Sequence, residues 1–143
     1  MNYTTSQIAT IIKATCSINT DYLLSVLLTD SRSLTFPEES IFFALVTERN
    51  DGHRYIKELY DKGVRNFVIN YRPAEADDMP EANFLQVANT LAAMQILAAH
   101  HRRQFDIPVI GITGSNGKTS VKEWLHQLLL DDYNIVRSPR SYN

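Results

Sequence analysis

The sequence predicts an α/β fold: a small N-terminal α/β domain, then the first strand–loop–helix–strand of a parallel-sheet domain of the P-loop type. Three observations carry this. Short apolar runs alternate with amphipathic segments up to about residue 103. Residues 104–108, Gln-Phe-Asp-Ile-Pro, then interrupt the pattern. Beyond them a fresh apolar run enters a glycine-rich segment and a new amphipathic stretch. The predicted organisation is a domain over 1–103, a linker over 104–108, and the truncated start of a second domain over 109–143.

The elements follow in order. Thr4 and Gln7 have the spacing of a capping box, and Ile8, Ile11 and Ile12 fall on one face, which predicts a helix over 5–14. Cys16 reads as a small buried hydrophobe. Val26-Leu27-Leu28 is a strand that ends in the polar run Asp30-Ser31-Arg32-Ser33, and residues 41–45 form a second, buried strand. Asp51 caps a helix reaching about Lys62, with Gly63 at its left-handed end. Phe67-Val68-Ile69 is a third strand, residues 71–82 a loop with two prolines, and residues 84–87 a fourth strand. Asn89 opens a helix to His101 or Arg103, where His100, His101, Arg102 and Arg103 form a solvated cationic end. Residues 109–112 and 133–136 read as two parallel strands flanking a helix over 118–130.

Composition narrows the function classes. The chain has 143 residues, 44% hydrophobic and 21% charged, with a formal charge of -2. Such a chain is globular rather than disordered, and its balanced charge excludes a polybasic nucleic-acid binder. A single cysteine forbids an intrachain disulfide framework. No run approaches the ~20 apolar residues of a membrane span, and no signal peptide opens the chain, so the expected compartment is the cytoplasm.

Gly111, Gly114 and Gly117 are three of the five glycines, in the segment Gly111-Ile112-Thr113-Gly114-Ser115-Asn116-Gly117-Lys118-Thr119-Ser120. A strand before it and a helix after it are the context a phosphate-binding loop needs. Glycines let successive N–H groups converge on phosphate oxygens, and the helix start adds positive dipole. The candidate nucleotide-binding residues are Gly114, Ser115, Asn116, Gly117, Lys118, Thr119 and Ser120. Lys118 reaches terminal phosphates as a point charge, and the Thr119 hydroxyl is placed to ligate magnesium. The common pattern puts a further glycine where this chain has Ile112. From the loop alone, hydrolysis, transfer to an alcohol and activation of a carboxylate all remain open. Asp131 and Asp132 lie at the far end of the helix and read as surface residues.

With these residues in order, the chain resembles the start of a Mur ligase. The resemblance rests on Thr29-Asp30-Ser31-Arg32, Ile41-Phe42-Phe43-Ala44-Leu45, Asp51-Gly52-His53 with Tyr55-Ile56 and Gly63, and the loop from Pro108 to Thr119. It implies an ATP-dependent amide ligase of cell-wall precursor synthesis, with ATP and Mg2+ as cofactors. The small-molecule substrates implied by the best match within the family are a UDP-N-acetylmuramoyl tripeptide and D-alanyl-D-alanine, with no nucleic acid. It also implies that Lys118 is catalytic, that Thr119 holds the metal, and that Ser31, Arg32 and His53 contact the UDP end of the substrate. Arg32 has a structural alternative as a partner of Asp30, and His53 has one as a first-turn helix residue. The tail 138–143 resembles a version fused to alanine racemase. On this resemblance the chain is the front of a longer enzyme and is inactive in ligation by itself. The alternatives are a non-catalytic nucleotide-sugar-binding module or another P-loop enzyme such as a kinase.

Overall fold

The computed structural model describes residues 2–138, so the tail resemblance at 139–143 lies outside the described residues. The chain divides into two compact units between Phe105 and Asp106.

In the first unit, four parallel strands form one sheet in the order β3 (Val26–Leu28), β4 (Ser40–Phe43), β5 (Asn66–Ile69), β6 (Asn83–Gln86). The register pairs Leu27 with Ile41, Phe42 with Phe67, and Val68 with Leu85. A two-residue antiparallel pair, β1 (Tyr3–Thr4) with β2 (Leu23–Leu24), was not legible as periodicity. Three helices complete the unit: α1 (Thr5–Ile11), α2 (Ile56–Asp61) and α3 (Thr90–Arg102).

Strand alternation divides the core into two layers. Ile41, Phe43, Val68 and Leu85 face α1 and α3, joined by Ile8, Ile12, Ala93 and Leu97. Phe42, Ala44, Phe67 and Ile69 face the other way, against Ile56 and Leu59 of α2 and Met79 of the 71–82 loop. Strands buried on both faces read as continuous apolar runs, as a parallel sheet requires. Cys16 is half-buried at the margin of the first layer rather than fully enclosed, and burial raises its thiol pKa.

Local chemistry sets the helix ends. The Thr4 hydroxyl accepts the Gln7 N–H at 3.2 Å, and Gln7 Oε1 accepts the Thr4 N–H at 2.9 Å. The first helix stops at Ile11, short of the predicted 14, because Lys13 turns left-handed with φ 55. Its N–H then bonds Thr10 O at 3.2 Å while Ala14 N bonds Ala9 O at 2.9 Å. The predicted helix from Asp51 begins as a tight turn over Gly52–Tyr55 and becomes α-helical only at Ile56. Gly63, with φ 103, follows its end.

In the second unit, α4 (Lys118–Leu129) forms where a helix is predicted. The two flanking strands do not form. Residues 109–112 and 133–136 pair with no strand among the described residues, and Val109, Ile110 and Val136 are exposed. A parallel strand exists only through hydrogen-bonded neighbours, so apolar β-propensity alone does not make one.

Candidate functional site

All four sheet strands run parallel, so the segments that follow them emerge at one edge. Ligand sites of open α/β sheets lie outside that carboxyl edge. Asp30-Ser31-Arg32 follows β3, the 44–53 segment follows β4, and Asn70-Tyr71 follows β5.

A small hairpin brings Asp51 back to the end of β4. Thr47 N donates to Asn50 O at 2.8 Å, Val46 bridges Asp51, and Gly52 N donates to Leu45 O at 2.8 Å. Only glycine fits here. A Cβ on Gly52 would lie 2.8 Å from Leu45 N and 2.9 Å from the Ala44 backbone.

Asp51 is the hub of this edge. Its Oδ1 accepts the His53 backbone N–H at 2.9 Å and His53 Nδ1–H at 2.7 Å, and its Oδ2 accepts the Tyr71 hydroxyl at 2.5 Å. Burial pushes the Asp51 carboxyl up, but the Tyr71 and His53 donors outweigh it and hold the pKa at about 2. The hydrogen bond to Asp51, followed by burial, raises the Tyr71 phenol in turn. His53 Nε2 faces the Asn70 N–H at 3.4 Å, so the ring donates on one side and accepts on the other. The Tyr71 ring lies flat on the His53 imidazole, centroids 3.9 Å apart and planes 16° from parallel.

His53 is thus buried, at 6% exposure, while Tyr71 is 45% exposed. The predicted contact residue is enclosed, and the exposed aromatic above it was not singled out. Tyr71 sits in a proline-containing loop without periodicity. Its one sequence signal is an aromatic directly after an apolar strand.

Arg32 is clamped by its neighbour. Its Nε donates to Asp30 Oδ1 at 2.9 Å and its Nη2 to Asp30 Oδ2 at 2.7 Å. These bonds, with the Arg32 backbone N–H, hold Asp30 at about 2. The Arg32 side chain is 88% exposed. Asp30 raises its pKa most, and Tyr55 of the Gly52–Tyr55 turn adds a smaller electrostatic contribution, so the 30–32 and 52–55 segments lie within electrostatic reach. Ser31 is half-buried at the start of a short turn.

In the second unit the loop has its own geometry. Gly114 and Gly117 take φ 144 and 76, backbone that side-chain-bearing residues rarely adopt. Gly117 is the N-cap of α4, and no side chain caps the helix start. Lys118 folds back over the loop, its amine 2.6 Å from Gly114 O. Ser115, Asn116, Thr119 and Ser120 are exposed around it. A helix start without a side-chain cap, two left-handed glycines and an overlying ammonium suit a polyphosphate. The hydroxyls of Ser115, Thr119 and Ser120 are oxygens of the kind a hard cation takes. Asp131 and Asp132 are exposed beyond the other end of α4.

No protein-family model matches the chain. Curated relatives do. It is 37% identical over 127 residues to a UDP-N-acetylmuramoyl-tripeptide–D-alanyl-D-alanine ligase of Synechocystis, covering 89% of this chain and 27% of that protein. It is 31% identical over 144 residues to the ligase of the same name from Bacillus subtilis, covering 98% of this chain and 30% of that protein. A crystal structure of MurF from Acinetobacter baumannii superposes with a TM-score of 0.75 at 30% identity, covering 92% of this chain and 28% of that one. The chain therefore spans less than a third of the length of the relatives it matches.

Proposed function

We propose that this chain, which belongs to the Mur ligase family, supplies the UDP-substrate-binding domain and the ATP loop of a ligase that joins D-alanyl-D-alanine to a UDP-N-acetylmuramoyl tripeptide. The observation that carries the reading is the 37% identity with a ligase of that name across 89% of the chain. The loop geometry is consistent with it.

In this reading residues 1–103 hold the UDP end of the substrate at the carboxyl edge of the sheet. Ser31 and Arg32 face it directly. Arg32 keeps a charged group at the edge while Asp30 fixes its orientation, which favours a charge-assisted contact with a phosphate. His53 contributes from beneath. Residues 104–108 are the linker, and 109–143 begin the ATP domain.

ATP with Mg2+, when bound, supplies the phosphoryl group that activates a carboxylate for attack by an amine. Gly114 to Ser120 cradle the phosphates through backbone and hydroxyl donors, and Thr119 holds the metal. With ATP bound, the Lys118 ammonium would sit by the transferring phosphoryl, where its charge would count most as negative charge shifts. The chain alone performs no ligation in this reading, and the enzyme is cytoplasmic. Among the described residues no helix is long and apolar enough to cross a membrane.

Titration of the isotope-labelled chain tests this. UDP-N-acetylmuramoyl tripeptide should shift amides around residues 31–32, 51–53 and 70–71, and MgATP should shift those of 114–120. A folded chain with no saturable shift at either set, at millimolar ligand, would overturn the reading.

A further inference from the structure

We propose that Tyr71 is a stacking platform for the pyrimidine ring of the nucleotide substrate, braced from behind by Asp51 and His53. The inference rests on the nucleotide-sugar reading above and assigns a residue that the sequence did not mark.

Three features of Tyr71 argue for it. One ring face is covered by His53 at a centroid separation of 3.9 Å, yet the residue stays 45% exposed, so its exposure belongs to the opposite face and the edges. Its hydroxyl donates to Asp51 Oδ2 at 2.5 Å, which fixes the plane of the ring. The brace is rigid: the His53 side chain is 4% exposed and bonded at both ring nitrogens, to Asp51 and to the Asn70 N–H. A ring held at its rear face and its hydroxyl has little rotamer freedom left to lose on binding, which is what preorganisation means.

The chemistry suits a planar base. A phenol that donates to a carboxylate is enriched in electron density, and uracil is an electron-poor ring. Offset stacking of such a pair is favourable, and every base presents a flat face to it. The position agrees: Tyr71 follows β5 at the edge where Arg32 follows β3. A nucleotide laid across this edge places its base and its phosphates over different strands. The Asp51 carboxylate keeps its negative charge, but its three donors occupy both oxygens, so it holds the brace rather than presenting a free acceptor to the ligand.

The test uses the chain with three probes: uridine, UDP and N-acetylglucosamine. Stacking predicts that the uracil H5 and H6 resonances move upfield on binding, through the ring current of Tyr71. Tyr71→Ala should weaken uridine and UDP binding about tenfold and abolish the upfield shift. Tyr71→Phe keeps the face and should retain the shift and the affinity within about threefold. Circular dichroism of each variant reads any folding defect. If the wild-type chain binds UDP and Tyr71→Ala binds it equally well, the platform is wrong while the nucleotide-sugar reading stands. If the wild-type chain binds neither uridine nor UDP, both fail together. If N-acetylglucosamine rather than uridine shows the Tyr71-dependent affinity, the ring stacks on sugar and the inference is overturned.

Discussion

The two units of this chain begin from the same kind of sequence signal and end in different states. Around residues 40–62, an apolar run and an amphipathic segment become β4 and α2, with Phe42, Phe43, Ile56 and Leu59 at 1% exposure or less. Around residues 109–130, an equally apolar run leads to an equally amphipathic helix, yet Ile110 is 64% exposed, Trp124 64% and Leu128 74%. No residue of α4 is buried. Local pattern specifies what a segment is ready to become. Burial depends on what it meets, and strands more than helices need that meeting to exist at all.

The sharpest way to break this comparison is truncation in each unit. Phe43→Ala removes a fully buried ring between the sheet and its α1–α3 face, and should cost about 3–5 kcal/mol. Leu128→Ala removes an exposed side chain and should cost less than about 0.5 kcal/mol. Urea denaturation of both variants decides it. Equal losses would mean that α4 is packed in solution and that the contrast is false.

The functional counterpart reverses the weights. Lys118→Ala touches an exposed loop and should leave the stability of the chain unchanged within about 0.5 kcal/mol. When the chain replaces the matching segment of the Bacillus subtilis relative, the same change should lower kcat about 100-fold or more, because the lost charge acts on the transferring phosphoryl. Wild-type turnover in that chimera would remove Lys118 from the phosphate site.

Glycines give a finer comparison. Gly52→Ala drives a Cβ to 2.8 Å from Leu45 N, against backbone that cannot yield, and should cost about 1–3 kcal/mol. Gly111→Ala meets nothing within 4 Å and has no positive φ, so it should be neutral or slightly stabilising through the unfolded chain. Thermal melts of the pair measure the difference directly.

What the sequence displayed well was local and periodic. The capping box at Thr4 and Gln7, the Asn89 cap, the Gly63 helix end and the double-faced apolar strands are each written in a few adjacent residues, and each is found. What it hid depends on residues far apart. The β1–β2 pair joins Tyr3 to Leu24, too short to show a period. The late start of α2 goes with the Gly52 N–H bond to Leu45 O at 2.8 Å, a contact that only the returning hairpin creates. The burial of His53 was hidden for the same reason. Its sequence neighbours suggest a first-turn helix residue, and nothing near it in sequence announces that Tyr71, eighteen positions on, covers it. The turn into α4 was legible because its signal is compact: glycines at left-handed positions, then lysine and a hydroxyl at a helix start.

The smallest expected effect concerns the two carboxylates of the carboxyl edge, Asp30 and Asp51, both held at about 2. A folded-state pKa below the unfolded value of about 3.8 gives stability that is present above pH 4 and lost as pH falls towards 2. The sign is the same for both, but the surroundings differ. Asp30 is paired with the exposed Arg32, so salt screens its contribution. Asp51 is held by the Tyr71 hydroxyl and the donors of the enclosed His53, short bonds that salt reaches less. The contribution of Asp51 is about 0.2–1 kcal/mol, the range of partly exposed pairs. Urea midpoints measured between pH 5 and pH 2.5, at low salt and at about 0.5 M salt, separate them. Arg32→Ala should flatten the low-salt profile and leave the high-salt one unchanged. Tyr71→Phe removes one donor from Asp51 and should flatten the profile at both salt concentrations. A Tyr71→Phe profile parallel to wild type throughout would show that the hydroxyl does not hold Asp51, and would leave the stack on His53 as what fixes the Tyr71 ring.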